Sequence, residues 1–299
     1  MIYKKILVLL DGSQLAETVL KYAKELAARL HLEVDLLQVC RPEESHQLPM
    51  RQIYVEHMAE QLKTREIPGS VTGHPAAVVR STVAVGYPAD EILKFADSHD
   101  IDLIMLTTHG QSGIGRWSLG NVADKIIHAA KVPVWLVPAE LRDEVIFDKV
   151  EHRTMVIPLN GSRKAESILP YALDLARQRG VETRFVLVGV ARPEDVPVST
   201  AAAKGQFLTQ ILEGTRVDKD VYLAGVVKEI KEAGFEASAV ILKGDAPEEI
   251  VKYVSQNPTQ LIAMATNGAS AISEFFFSNV TENVVRRIKK TPILLVKPK

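Results

Sequence analysis

The sequence predicts an α/β protein made of two tandem doubly wound parallel-sheet domains. Three observations predict it. The chain has 299 residues, about twice a common domain size. A series of motifs in the first half returns in the second half in the same order. Between the motifs, short apolar runs rich in β-branched residues alternate with longer segments of helical period, the pattern of βαβ units in a parallel sheet.

The repeat opens with residues 6–13, ILVLLDGS, matched by residues 155–162, MVIPLNGS. Each predicts a strand, a Gly-Ser turn and a helix, over 15–30 and 165–179. Residues 34–39 and 184–190 follow as buried parallel strands. The next stretches, 41–80 and 191–237, differ between the halves, with a helical segment near 53–65 in the first and 207–233 in the second. Residues 83–92 then align with 240–250. A strand ends at Gly86 and at Gly244, and a helix starts soon after, with proline in or beside its first turn and acids at its positive end. Residues 102–110 parallel 260–268, and Gly120-Asn121-Val122 parallels Ser278-Asn279-Val280. Each half closes with a helix, a proline and a strand, at 133–137 and 292–296. The charged stretch between the halves has no period and is read as a linker. The expected division is domain 1 at 1–139, linker at 140–153 and domain 2 at 154–299.

Composition narrows the function classes. Hydrophobic residues make up 46% of the chain and charged residues 24%, the balance of a folded globular protein. The apolar runs are strand-sized, far short of the roughly 20 residues that cross a bilayer, so no membrane span is expected. The opening residues run directly into a strand without the regions of a signal peptide, and the single cysteine, Cys40, fits a reducing compartment. A cytoplasmic address is the expectation. The formal net charge is −1, and residues 1–149 carry 16 Lys and Arg against 20 Asp and Glu. Neither half has the clustered basic character of a phosphate-backbone binder, so nucleic acid is not an expected partner.

Ligands of doubly wound sheets bind outside the carboxyl ends of the strands, where the strand order reverses, and the motifs fall at such ends. Asp11-Gly12-Ser13 follows the first strand, Val39 and Cys40 end the second, and the loop 107–121 follows the fourth. That loop holds four glycines between Gly110 and Gly120, which permit close backbone approach. Gly120-Asn121 stands where a helix begins, so free N–H groups and the helix dipole make an anion site there, to which Arg116 adds charge. The alternative is that Gly120-Asn121 is only an N-cap. Asp11 is an acceptor for an adenine amino group or a ribose hydroxyl, or else an N-cap or Asx-turn for the following helix. His109 has no partner at metal-ligand spacing and reads as a residue that orders the loop. Cys40 reads as a small buried hydrophobe. Trp117 and Leu119 pin the loop to the domain. No metal site and no catalytic residues are expected: there is no Gly-x-x-x-x-Gly-Lys-Ser/Thr, no complete dinucleotide fingerprint, no Ser-His-Asp set and no carboxylate pair.

These motifs resemble the universal stress protein family in its tandem-domain form. The resemblance spans nearly the whole chain in two copies: strand-Asp-Gly-Ser, Gly-x-Pro after the third strand, and a late loop with nine residues between two glycines. It implies a five-stranded, adenine-nucleotide-binding-like sheet per domain, domains paired through their last strands, and roles in stress survival and signalling, usually without catalysis. It also implies ATP, or AMP or ADP, with or without Mg²⁺, in domain 1. By position, Asp11 with Gly12 would contact the adenosine, the Val39 backbone would line the adenine, and Gly110, Gly120, Asn121 and Val122 would hold the phosphates. Thr107 stands where the ATP-binding branch has its first glycine, and Asn121 where it has Ser or Thr. In the second copy Asn160 replaces the aspartate, Ala265 the first glycine, Asn267 the histidine and Ser278 the second glycine, so ATP is not expected there. The leading expectation is a non-catalytic stress-response protein with an adenine nucleotide in domain 1 and unidentified protein partners. It would form an internal pseudo-dimer, and a further homodimer is compatible with it. The alternative is a family member without nucleotide that acts as an interaction scaffold. An adenylyl-transferring enzyme is a third reading, for which the phosphate-activating motifs are missing.

Overall fold

The computed structural model describes residues 3–64, 78–108, 119–138, 140–141, 153–179, 182–191, 206–266 and 279–298. The first half runs β1 (Lys5–Leu10), α1 (Gln14–Leu30), β2 (Glu33–Cys40), a 3-10 turn (Pro42–Gln47), α2 (Leu48–Thr64), β3 (Val79–Val85), α3 (Pro88–Ser98), β4 (Leu103–Thr107), α4 (Asn121–Ala129) and β5 (Val134–Val137). The second half runs β6 (Arg153–Pro158), α5 (Arg163–Glu166), α6 (Leu169–Arg179), β7 (Thr183–Ala191), α7 (Gln206–Glu232), β8 (Glu236–Lys243), α8 (Ala246–Gln256), β9 (Leu261–Ala265), α9 (Asn279–Arg287) and β10 (Ile293–Val296). β6 starts at Arg153, the last residue of the predicted linker, whose N–H donates to Glu182 O.

All ten strands form one sheet in the order β3-β2-β1-β4-β5-β10-β9-β6-β7-β8. Pairing is parallel within each half. The halves meet where β5 and β10 pair antiparallel, with Trp135 opposite Leu294. Alternate residues of a strand point to opposite faces, so the apolar runs feed two cores. Ile6, Val8 and Trp135 join one layer with residues of α1 and α6, while Leu7, Ile104 and Leu136 join the other with residues of α4 and α9. Each layer draws on both halves, so the repeat shares its cores.

The helix predicted over 165–179 divides into α5 and α6. Pro170 has no N–H to donate to Glu166, and its ring clashes with that carbonyl. The first copy has Lys21 at the corresponding place, and α1 runs unbroken.

The stretches that differ between the halves are fastened by one shared device. Tyr54 of α2 donates to Glu17 of α1 at 3.1 Å, and Tyr222 of α7 donates to Glu166 of α5 at 2.7 Å. Burial, then the adjacent glutamate, pushes each phenol above its ordinary value of 10.0. The folded chain therefore keeps these protons when the unfolded chain loses them, and stability falls as pH rises through 10.0 and beyond. The denaturation midpoint is expected to drop between about pH 9 and 11, and less steeply in a Tyr54→Phe/Tyr222→Phe variant. Parallel drops in the two proteins would show that these phenols carry none of the effect.

Candidate functional site

Asp11 follows β1, and its Oδ1 accepts from the Ser13 N–H at 2.9 Å and from Ser13 Oγ at 2.6 Å. Ser13 is the N-cap of α1 and accepts from the Ala16 N–H at 3.1 Å. Gly12 links them at φ 83°, a left-handed conformation that costs a residue with a side chain about 1–2 kcal/mol. The Asx-turn reading of Asp11 is thus realised, and capping falls to Ser13. The turn occupies one carboxylate oxygen, and Asp11 also faces a cavity.

That cavity, of about 470 Å³, opens outside the carboxyl ends of β1, β2 and β4. Strand order reverses between β1 and β4, the place where open α/β sheets bind ligands. Asp11, Val39, Thr107, Gly120, Asn121 and Val122 all line it. Gly12 shapes the Asp11 turn and is not among the lining residues. Gly110 and Arg116 lie outside the described residues, as do His109 and Trp117. Leu119 is buried, and Cys40 is buried with its Sγ against Glu44 O at 3.2 Å.

Gly120, not Asn121, is the N-cap of α4, and Asn121 is the first helical residue. Gly120 has no side chain with which to cap this helix start. Its first N–H groups have no partner within the helix, and the positive dipole end faces the cavity at Asn121, Val122 and Ala123. Gly120 itself has φ −62° and ψ 144°, open to any residue, and a Cβ built there meets nothing within 4 Å. Neither backbone geometry nor packing among the described residues calls for glycine at this point. Among the described residues, what glycine does is leave the space above a donor-rich helix start unfilled.

The model of the universal stress protein family matches the chain twice, at residues 2–138 and 151–297. The chain belongs to the universal stress protein family. The two matches fall on the two halves, in keeping with a tandem-domain universal stress protein. A universal stress protein of Methanocaldococcus jannaschii is 30% identical over 143 residues, 46% of this chain and 82% of the relative. One of Mycobacterium tuberculosis strain H37Rv is 28% identical over 219 residues, 73% of this chain and 69% of the relative. The crystal structure of a universal stress protein from Archaeoglobus fulgidus superposes with a TM-score of 0.67 at 19% identity, over 98% of each chain. That likeness concerns the fold.

Three charged lining residues of this universal stress protein escaped sequence reasoning: Arg41, Glu44 and Arg51. They come from the stretch without a counterpart in the second half, where comparing the copies carries no signal. Arg51 donates to Glu44 Oε2 at 2.7 Å and to Gln47 Oε1 at 3.0 Å, and its buried Nε has no partner among the described residues. The guanidinium thus brings a positive charge, held by a carboxylate, to the cavity wall.

The second half keeps a cavity of about 410 Å³ at the matching place, where the order reverses between β6 and β9. Asn160 stands where Asp11 does, with the same turn: its Oδ1 accepts from the Ser162 N–H at 3.0 Å and from Ser162 Oγ at 2.8 Å. Ala265 lines this cavity, while Asn267 and Ser278 lie outside the described residues. Among the described residues, no group of three or more His, Cys, Asp and Glu is placed to hold a metal ion, and no helix is long and apolar enough to cross a membrane.

Proposed function

We propose that this universal stress protein binds ATP, or AMP or ADP, in the domain 1 cavity and acts as a non-catalytic stress-response and signalling protein. The observation that carries this reading is the pairing of an acceptor with an anion cradle across one cavity. Asp11 supplies the acceptor, and Gly120 leaves room above the free N–H groups of α4. A cavity of about 470 Å³ is within the range that holds small ligands and cofactors. In this reading Asp11 takes the ribose or adenine donors, Val39 lines the base, and Thr107, Gly120, Asn121 and Val122 meet the phosphates. Gly110 and Arg116 complete the phosphate loop, and Mg²⁺ would arrive with the phosphates. A bound nucleotide supplies this protein with a ligand-dependent state that partners can read. A cytoplasmic address and a homodimer belong to the same proposal.

Isothermal titration of ATP and AMP into the wild type and Asp11→Asn tests it. Asparagine keeps the turn, because Asn160 makes the same two bonds to Ser162 in the second half. It replaces the other carboxylate oxygen with a donor. Asp11→Asn should therefore fold as well as the wild type and bind at least about tenfold more weakly, the loss of one charge-assisted hydrogen bond. No heat from either nucleotide with the wild type would remove the nucleotide reading and leave the scaffold alternative.

A further inference from the structure

The second cavity is nearly as large as the first but is built with the opposite polarity. The backbone N–H of Ser162 can only donate, so the Asn160 atom facing it is the oxygen. The amide NH₂ of Asn160 is thereby left as the group offered to the cavity. In domain 1 the same site offers a carboxylate. The charges differ in the same sense. The first cavity is lined by Arg41 and Arg51 but also by Asp11 and Glu44. Lys164 and Lys219 line the second, and no Asp or Glu is among its described lining residues.

The hydroxyls do not reverse this balance. Thr266 and Thr281 donate to Val296 O and Ala265 O, each at 3.3 Å, so their protons are committed to backbone carbonyls. The donors that line the space include the Asn160 amide, Lys164 and the first-turn N–H groups of α9, where Val280 and Thr281 line the wall, and Lys219 adds its charge to the lining. Apolar side chains, among them Val188, Ile250 and Met264, line the same cavity. An adenosine moiety, which presents hydroxyl and amino donors, finds no carboxylate among the described lining residues. An anion attached to an apolar body finds both donors and aliphatic side chains in this lining.

We propose that the domain 2 cavity is a second binding site, for an organic anion: a phosphate monoester or carboxylate on an apolar or aromatic body, without preference for adenosine. Its chemistry is independent of the domain 1 ligand, so the chain has two sites with different selectivity. Binding is expected to weaken with rising salt, because the attraction is between charges at a partly open surface.

The test uses the full-length protein and 1-naphthyl phosphate, 1-naphthoate and neutral 1-naphthol, followed by isothermal titration. Comparing the two anions decides whether phosphate or carboxylate is preferred. Anion binding is expected to survive Gly120→Phe, which fills the first cavity. It is expected to fall about tenfold or more in Lys164→Gln/Lys219→Gln and in Asn160→Asp, and 1-naphthol should bind more weakly by a similar factor. Asn160→Asp can keep the Ser162 turn as Asp11 keeps its own with Ser13, so its loss reads the cavity and not the fold. Binding abolished by Gly120→Phe but untouched by the lysine substitutions would overturn the proposal, as would the absence of saturable binding below about 1 mM. AMP binding to the Gly120→Phe protein more tightly than 1-naphthyl phosphate would also overturn it. The domain 1 reading is tested separately, by ATP and AMP binding to Asp11→Asn, so the two proposals can fail independently.

Discussion

Trp135→Ala is expected to lower unfolding free energy by about 3–5 kcal/mol, the usual cost of removing a fully buried large side chain. Trp135 has no exposed surface and stands in β5 opposite Leu294 of β10, in the antiparallel pairing that ties the halves together. Its ring lies 5.7 Å from that of Tyr22 in α1, in the core layer that continues through α6 of the second half. The substitution thus opens a cavity where both halves pack. Denaturant unfolding followed by circular dichroism should show signals from the whole chain shifting together, because the layer is continuous across the seam. Trp135 Nε1 has no hydrogen-bond partner among the described residues, so Trp135→Phe sacrifices only volume and should cost less than half as much. A loss below about 1 kcal/mol for the alanine variant would mean that the seam is not part of the core.

Gly120→Phe should separate binding from stability. The backbone at Gly120 is open to any residue, and the added side chain meets no atom of the described residues at its Cβ. The fold should lose no more than about 1 kcal/mol, the scale of a changed N-cap. The benzyl group then occupies the space above Asn121 and Val122, where the proposed phosphates sit. ATP affinity is expected to fall about a hundredfold or more, which is over 2.7 kcal/mol of lost interaction. Gly120→Ala, whose methyl occupies open space, should retain most of the affinity. The pair is read by titration calorimetry beside thermal melts. Unchanged ATP affinity in the phenylalanine variant would place the phosphates elsewhere.

Much of the candidate site was legible because it recurs. Asp11 and Asn160 occupy equivalent turns, and comparing the copies exposed the loss of the aspartate before any contact was known; that the amide offers a donor instead came from the turn's hydrogen bonds. Asn121 was harder. Asparagine is a favoured cap, yet the structure starts the helix one residue earlier and makes Gly120 the cap. Residue preference alone does not decide between two neighbours when the chain entering the helix can shift by one. Arg41, Glu44 and Arg51 were invisible for another reason. Arg41 follows the end of β2, while Glu44 and Arg51 reach the cavity through the 3-10 turn and α2, which packs against β2 and β3, and nothing local to residues 41–51 records that packing.

The sequence by itself determined the α/β class, the duplication and the order of strands and helices, since β-branched runs and helical periods act over a few residues. It also determined which copy holds an aspartate at the first turn. Only the tertiary structure decided the β5–β10 register that joins ten strands into one sheet, and the two cores that run through both halves. It alone showed that domain 2 keeps a cavity lined by lysines. Those features depend on residues more than a hundred positions apart meeting after the chain has closed, and a local pattern specifies which face is apolar without specifying what covers it.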